Sequence, residues 1–194
     1  MNSLSGICAE WGADIGEILF TEQHIQGKIK ELAREISEYY RSRVSRKKPL
    51  VCVGLLTGSF IFVSDLLRHL SIPYIIDFMV VSSYGSSTTS TGSIKLKKDM
   101  SIDPAGRDIL ILEDLIDTGH TLKWIQSHLS NKRINSLRLC CLLNKQERRE
   151  VEVQIDYCGF VCPDKFVVGY GMDFNEQFRC LPCIGVLKPE AYSS

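Results

Sequence analysis

Apolar residues occur along the chain in short stretches that polar turns separate. Short apolar stretches bounded by turn residues are typical of buried strands, and unbroken ones are typical of a parallel sheet. The predicted strands are residues 50–55, 74–81, 109–112, 136–143, 157–161 and 184–187.

Apolar residues at helical spacing fill several of the segments between these strands. Thr21 is the predicted N-cap of a helix that continues to about Tyr40, and further helices follow the strands at 50–55 and 109–112. Strand–helix–strand units with buried strands imply right-handed crossovers. The sequence therefore predicts an α/β fold with a twisted, mainly parallel sheet flanked by helices.

The stretch from Ile109 to Leu122 carries the most chemistry. The acids Glu113 and Asp114 follow an apolar strand, and then come Asp117 and the turn Thr118-Gly119-His120-Thr121. Open α/β sheets bind ligands at the carboxyl ends of their strands. A turn that opens a helix offers free N–H groups to a phosphate, and paired carboxylates suit ribose hydroxyls or Mg²⁺.

Composition limits the class of protein. The 194 residues with 44% hydrophobic content suit one domain over 1–194, in which weak patterns at 1–17 predict poor order. The formal net charge of zero argues against nucleic acid or an anionic membrane as partner, and the basic run 41–48 is interpreted as a solvated connection. The first twenty residues lack positive charge, so we expect a cytoplasmic protein without a targeting segment.

Two local patterns allow other interpretations. Asp117-Thr118-Gly119 also occurs in aspartic proteases, but those enzymes need two such aspartates and the chain has one Asp-Thr-Gly. The cysteines at 158, 162, 180 and 183 suggest a zinc module, although apolar neighbours favour reduced packing thiols. Metal analysis would distinguish the two.

The segment Ser82–Gly92 is rich in serine, threonine and glycine. Composition alone favours a flexible linker. A long structureless loop inside a compact domain is usually functional, however, so an active-site lid is the alternative.

The stretch from Ile109 to Leu122 resembles the phosphoribosyl diphosphate (PRPP) signature of type I phosphoribosyltransferases. The resemblance implies that Glu113 and Asp114 hold the ribose hydroxyls, partly through Mg²⁺. It implies that the 5′-phosphate is bound by Asp117, Thr118, Gly119, His120 and Thr121.

The tail from Pro163 to Leu187 resembles the purine-binding end of hypoxanthine-guanine phosphoribosyltransferases. The most specific parts are the segment 164–170 and the spacing from Asp173 to Arg179. The resemblance covers nearly all of the chain after residue 21. It implies a type I phosphoribosyltransferase fold with a small hood from the terminal segments, and a homodimer or homotetramer. The implied reaction makes IMP or GMP from hypoxanthine or guanine plus PRPP, with Mg²⁺.

Roles for the remaining positions also follow from the resemblance. Asp117 is the implied base that faces purine N7, and Arg179 serves the pyrophosphate. The pyrophosphate loop Leu56–Ser59 contributes Thr57, Gly58 and Ser59. The implied lid residues are Ser83 and Tyr84. The implied purine residues are Lys145 at O6, Phe166 as the stacking ring, Val167 through its backbone, and Asp173, which also serves a second Mg²⁺.

Three positions depart from the family pattern or vary within it. Many members have lysine where Thr57 stands, His120 occupies a variable position, and Gly171 bears on the fit around the base. Two functional alternatives stay open. One is an enzyme that also accepts xanthine, and the other is a regulator that uses the same fold to sense PRPP or bind nucleic acid.

Overall fold

The computed structural model describes residues 9–84 and 93–192. Nine strands and five helices occur within these residues. The strands are β1 (Ile15–Phe20), β2 (Leu50–Leu56), β3 (Tyr74–Tyr84), β4 (Ser93–Lys98), β5 (Asp108–Ile116), β6 (Ser136–Asn144), β7 (Tyr157–Val161), β8 (Val167–Val168) and β9 (Ile184–Leu187). The helices are α1 (Ala9–Asp14), α2 (Glu22–Tyr40), α3 (Phe60–Leu67), α4 (His120–Ser130) and α5 (Pro189–Tyr192).

The main sheet has six strands in the order β4-β3-β2-β5-β6-β7. Every neighbouring pair is parallel except β3 and β4, which are antiparallel. Strands β2 and β5 lie at the centre, and Val51 and Val53 pair with Ile109 and Ile111. The predicted α/β fold with a mainly parallel sheet is confirmed.

Helices cover the two faces of this sheet because its central strands are apolar on both sides. Helices α2 and α3 pack with Leu110 and Leu112 on one face, and α4 packs with Ile109 and Ile111 on the other. Thr21 caps α2 as predicted, since its hydroxyl accepts a hydrogen bond of 3.3 Å from the His24 amide.

The predicted hood is a separate three-stranded sheet in the order β1-β9-β8. Strand β1 pairs antiparallel with β9, and Ile15 lies opposite Leu187. Residues 9–17, for which the sequence predicts poor order, therefore form α1 and the start of β1. The pairing partner of β1 is almost the whole chain away, so no local pattern signals it.

Two further differences concern the main sheet. Strand β4 lies at the sheet edge beside β3 and escaped prediction, because its alternating lysines resemble a solvated segment. Strand β5 continues to Ile116 instead of ending at Leu112, so the acids Glu113 and Asp114 lie within it.

Across the described ranges, the helices are all too short or too polar to cross a membrane.

Candidate functional site

A cleft of about 720 Å³ lies between the carboxyl ends of the central strands and the segment 163–179 that leads into the hood. Many of its lining residues are the predicted site residues. These are Thr57, Gly58, Asp114, Asp117, Lys145, Phe166, Val167, Asp173 and Arg179. The structure thus brings together residues from five separate parts of the sequence.

Asp114 is the acid of the Glu-Asp pair that faces this cleft. Burial raises its pKa to about 6, and the nearby charge of Asp173 adds to that shift. Backbone N–H groups and the charge of Arg179 act in the opposite direction. A carboxylate that is costly to ionise alone is suited to a site where a cation or ligand hydroxyls compensate its charge.

Glu113 is not among the residues that line the cleft, whereas its neighbour Asp114 is. Because β5 continues through both residues, their side chains point to opposite faces of the sheet. Burial, followed by the charge of Asp114, raises the pKa of Glu113 well above its usual value. Its Oε2 is buried and has no hydrogen-bond partner in the described part of the chain.

The loop after β2 packs tightly between β5 and the hood segment. A Cβ at Gly58 would overlap the Asp114 carboxylate, and a Cβ at Gly171 would overlap the Gly58 carbonyl oxygen. Gly171 also has φ +103°, a conformation that favours glycine. The sequence suggested that Gly171 affects the fit around a base, whereas its contact is with the predicted pyrophosphate loop.

Ser59 differs from its neighbours in this loop. Its side chain is fully buried, and its hydroxyl donates a 2.6 Å hydrogen bond to the Leu55 carbonyl. The structure therefore turns the Ser59 side chain away from the cleft, and only its backbone amide at the start of α3 is left for an anion.

The turn from Thr118 to Thr121 lies next to Asp117 but outside the lining of the cleft. Helix α4 begins at His120, so the N–H groups of its first turn have no acceptor within the helix. The other side of the turn is fixed, because the Thr118 carbonyl accepts hydrogen bonds from the amides of Glu150 and Val151. His120 contacts the Glu150 carboxylate at 2.7 Å.

Gly119 is required by the same packing. It has φ +92°, and a Cβ there would lie 2.9 Å from the Val151 carbonyl oxygen.

Asp117 is paired with Arg148, which the sequence analysis did not identify. The Arg148 Nε donates to the Asp117 carboxylate at 2.8 Å, and its guanidinium lies 3.7 Å from Asp164. All three residues line the cleft. Arg148 lies on a short 3₁₀ turn after β6, and a lone arginine in a polar loop gives no sequence signal.

Three of the predicted purine residues lie at the end of β6 and around the start of β8. Lys145 is only 7% exposed, because it directly follows β6 and its amide donates to the Ile116 carbonyl. Phe166 is 41% exposed and stacks on Tyr192 with 5.2 Å between ring centroids. Val167 begins β8 and pairs with Val186.

Arg179 binds Gly171, which contacts the predicted pyrophosphate loop. Its guanidinium donates to the Gly171 carbonyl at 2.9 Å and forms ion pairs of 2.9 and 2.8 Å with Asp173 and Glu176. Arg179 thus stabilises the position of Gly171, which packs against Gly58.

The carboxylates of the cleft fit Mg²⁺ only if a bound ligand supplies further oxygen atoms. Among residues 9–84 and 93–192, no group of three or more His, Cys, Asp or Glu side chains could hold a metal ion. Asp114 and Asp173 nevertheless line the same cleft. Mg²⁺ commonly uses one or two carboxylates plus phosphate oxygens and water, which is what this pair allows.

The lid prediction lies mostly outside the described residues, because Ser83 and Tyr84 are described only as the end of β3 and residues 85–92 not at all. Three other basic or acidic residues of the cleft received no predicted role. They are Lys97 on β4, and Asp164 and Lys165 in the turn before β8.

The sequence is similar to a known protein family and to known enzymes. The phosphoribosyl transferase domain model matches residues 17–175. A hypoxanthine-guanine phosphoribosyltransferase of Staphylococcus aureus is 45% identical over 93% of this chain and 98% of its own length.

Solved structures are similar too. A hypoxanthine phosphoribosyltransferase from Staphylococcus aureus superposes with TM-score 0.90 at 44% identity, over 97% of this chain and all of the other. A hypoxanthine phosphoribosyltransferase from Trypanosoma cruzi, solved as a ternary substrates complex, gives TM-score 0.88 at 38% identity, over 93% of this chain and 99% of the other.

Proposed function

The chain belongs to the phosphoribosyl transferase family and is a purine-salvage enzyme of the hypoxanthine-guanine type, and we propose that its cleft binds PRPP against the strand ends and the purine against the hood. The observation that carries this proposal is that Asp114 and Asp117, from β5 and the turn after it, share one cleft with Lys145 and Phe166. The reaction joins purine N9 to C1′ of the ribose and releases pyrophosphate.

On the PRPP side, Asp114 accepts hydrogen bonds from the ribose hydroxyls. Backbone N–H groups of the turn 118–121 bind the 5′-phosphate at the start of α4. The loop at Thr57 and Gly58 presents amides to the pyrophosphate, and Arg179 adds a positive charge. These groups stabilise the charge that develops on the leaving group.

On the purine side, Phe166 offers an exposed ring on which the base stacks, and the Val167 backbone contacts its edge. Lys145 donates to O6 of hypoxanthine or guanine. Adenine carries a donor at that position, and a buried donor facing a donor is unfavourable. Lys145 therefore selects 6-oxopurines.

Asp117 is the proposed general base. As N9 bonds to carbon, the N7 proton becomes acidic, and the Asp117 carboxylate can accept it. The Arg148 guanidinium must move from Asp117 or remain on one oxygen for the other oxygen to reach N7.

Mg²⁺ held by Asp114 and Asp173, when bound, would neutralise part of the pyrophosphate charge. Glu113 is the third proposed metal or ribose ligand, although reaching the cleft would require its side chain to change faces. Ser83 and Tyr84 are proposed to belong to a lid that excludes water.

We propose further that the chain is one domain and acts as a homodimer or homotetramer in the cytoplasm. The hood and the main sheet share contacts such as the 2.5 Å hydrogen bond from the Tyr170 hydroxyl to Asp65, which supports one domain. The seven cysteines of the described residues are free, which fits a reducing compartment. Light scattering would give the oligomer size.

Product formation from PRPP, Mg²⁺ and each of four purines tests the proposed specificity. Hypoxanthine and guanine should be converted, and adenine should not. Xanthine conversion would favour the broader alternative. Lys145→Ala, with Lys123→Ala on α4 as a control away from the cleft, should lose selectivity for 6-oxopurines. Equal conversion of adenine by the unmodified enzyme would contradict the role of Lys145.

A further inference from the structure

Two cysteines form a pair at the edge of the main sheet, outside the cleft. Cys141 lies on β6 and Cys158 on the edge strand β7, and the two are direct partners in the parallel ladder. Partners in a parallel ladder place their side chains on the same face, with backbones about 4.8 Å apart. This separation lies within the range of Cα distances that disulfides span.

The two thiols differ in access. Cys141 is fully buried, whereas Cys158 is exposed and opens onto a groove of about 540 Å³ that Arg149 and Val153 also line. A hydrogen bond from the Cys141 thiol lowers the pKa of Cys158 to about 7, against the effect of burial, and the charges of Lys28 and Arg149 lower it further. Exposed thiols near basic groups are the reactive ones.

We propose that Cys158 and Cys141 form a reversible dithiol site that hydroperoxides oxidise. The Cys158 thiolate attacks the O–O bond of the hydroperoxide, an S–O bond forms, and hydroxide or alkoxide leaves, so that Cys158 becomes a sulfenic acid. The Cys141 thiol then attacks that sulfur, an S–S bond forms, and water leaves. The two thiols supply both electrons, and an external dithiol restores them.

The ladder geometry also predicts a labile bond. Side chains in register on parallel strands have Cβ atoms near the strand spacing, which exceeds the 3.5–4.5 Å that a relaxed disulfide prefers. Strained disulfides are reduced more easily. Among residues 9–84 and 93–192, β7 is the last strand on its side of the sheet and can approach β6, so the bond should form and then respond readily to reduction.

Mass spectrometry of the full-length protein tests this site. Hydrogen peroxide at equimolar amounts, followed by alkylation of free thiols, should give a cross-linked peptide pair that contains Cys141 and Cys158. Dithiothreitol should remove it. Cys158→Ser should abolish the cross-link, and Cys180→Ser, which removes another exposed thiol, should leave it unchanged.

Cys141→Ala should stop the reaction at the sulfenic acid of Cys158, which dimedone traps. Because a buried substitution can impair folding, the rate of iodoacetamide labelling in the unmodified protein gives a second measure. Cys158 should react about tenfold faster than Cys180 at pH 7, as expected for an exposed thiol beside the charges of Lys28 and Arg149. Equal labelling rates, or a cross-link of Cys158 to a different cysteine, would overturn the proposal.

Discussion

The wall of the cleft formed by β2 and β5 consists of central parallel strands, whereas the opposite wall consists of the two-residue strand β8 and a run of turns from 169 to 183. Backbone pairing and apolar packing on both faces fix the first wall. Short backbone bridges within the turns fix the second, together with side-chain contacts such as Tyr170 to Asp65 and Arg179 to Asp173.

This difference separates positions that tolerate little backbone change from positions that depend on single side chains. At the strand ends, a Cβ at Gly58 would overlap the Asp114 carboxylate, and a Cβ at Gly119 would lie too close to the Val151 carbonyl oxygen. On the hood wall, Tyr170, Asn175, Glu176 and Phe178 have positive φ. Such backbone needs the surrounding contacts to hold it. The strand wall therefore suits fixed phosphate positions, and the hood wall supplies side chains such as Phe166 for the base and Arg179 for the pyrophosphate.

The largest expected effect is on the strand wall, at Asp117. Asp117→Asn should lower kcat by about 10²–10⁴-fold, the range of general acid–base catalysis, because an amide cannot accept the N7 proton. Arg148→Gln is the matched control, since it removes the same ion pair and leaves the carboxylate. Single-turnover rates would measure both. An Asp117→Asn enzyme with normal chemistry would exclude this base.

The next largest effect is expected at Gly171, where the hood segment contacts the loop after β2. Gly171→Ala should raise the PRPP KM by about ten- to a hundredfold, which matches about 1–3 kcal/mol of backbone strain at a position with φ +103°. The added methyl group would displace Gly58 and with it the pyrophosphate loop. Gly27→Ala on α2, where a Cβ meets no atom within 4 Å, is the control. A normal PRPP KM in Gly171→Ala would show that the contact is unimportant.

The protein should become less stable when Asp65, which accepts a hydrogen bond from Tyr170 of the hood wall, is replaced. Asp65 accepts hydrogen bonds from Tyr170, Gln26 and Arg68, so Asp65→Ala should lower the free energy of unfolding by about 2–3 kcal/mol. Burial alone would raise the pKa of Asp65, but these hydrogen bonds hold it below its ordinary value. This contribution is present at neutral pH and is lost as the pH falls below about 4.

Urea unfolding at neutral and acid pH would test the contribution of Asp65 to the free energy of unfolding. The difference between wild type and Asp65→Ala should shrink as the pH falls. A constant difference would show that the carboxylate charge has no part in it. Tyr170→Phe should give a smaller loss, because it removes one of the three partners.

The smallest effect is expected at Thr57, in contrast to its neighbour. Thr57→Ala should change the PRPP KM by less than about threefold, or roughly 0.7 kcal/mol, if backbone amides hold the pyrophosphate. Gly58→Ala should be far more severe, because its Cβ would overlap Asp114. Steady-state kinetics would decide this, and a Thr57→Ala enzyme as impaired as Gly58→Ala would assign the role to the hydroxyl.

The same contrast explains what the sequence could predict. Apolar runs and helical spacing predicted β2, β5, β6 and the helix from Thr21, because buried parallel strands need continuous apolar residues. They could not predict β1 or β4, which lie at sheet edges and pair antiparallel with their partners.

The site divides in the same way. A local motif identified Asp114 and Asp117, both of which line the cleft. The role of Glu113 stays a prediction, because β5 continues through both acids and Asp114 alone of the two lines the cleft. Arg148 and the Gly171–Gly58 contact depend on distant parts of the chain, which no local pattern reveals.

One crossed kinetic measurement tests the central claim that Asp114 serves PRPP and Lys145 serves the purine. The KM values for PRPP and hypoxanthine would be compared in Asp114→Asn and Lys145→Ala. Asp114→Asn should raise the PRPP KM by about tenfold or more, as expected for a lost charge-assisted contact, and leave the hypoxanthine KM within about threefold. Lys145→Ala should do the reverse. If both variants raised the KM of the same substrate alone, the proposed division of the cleft would be wrong.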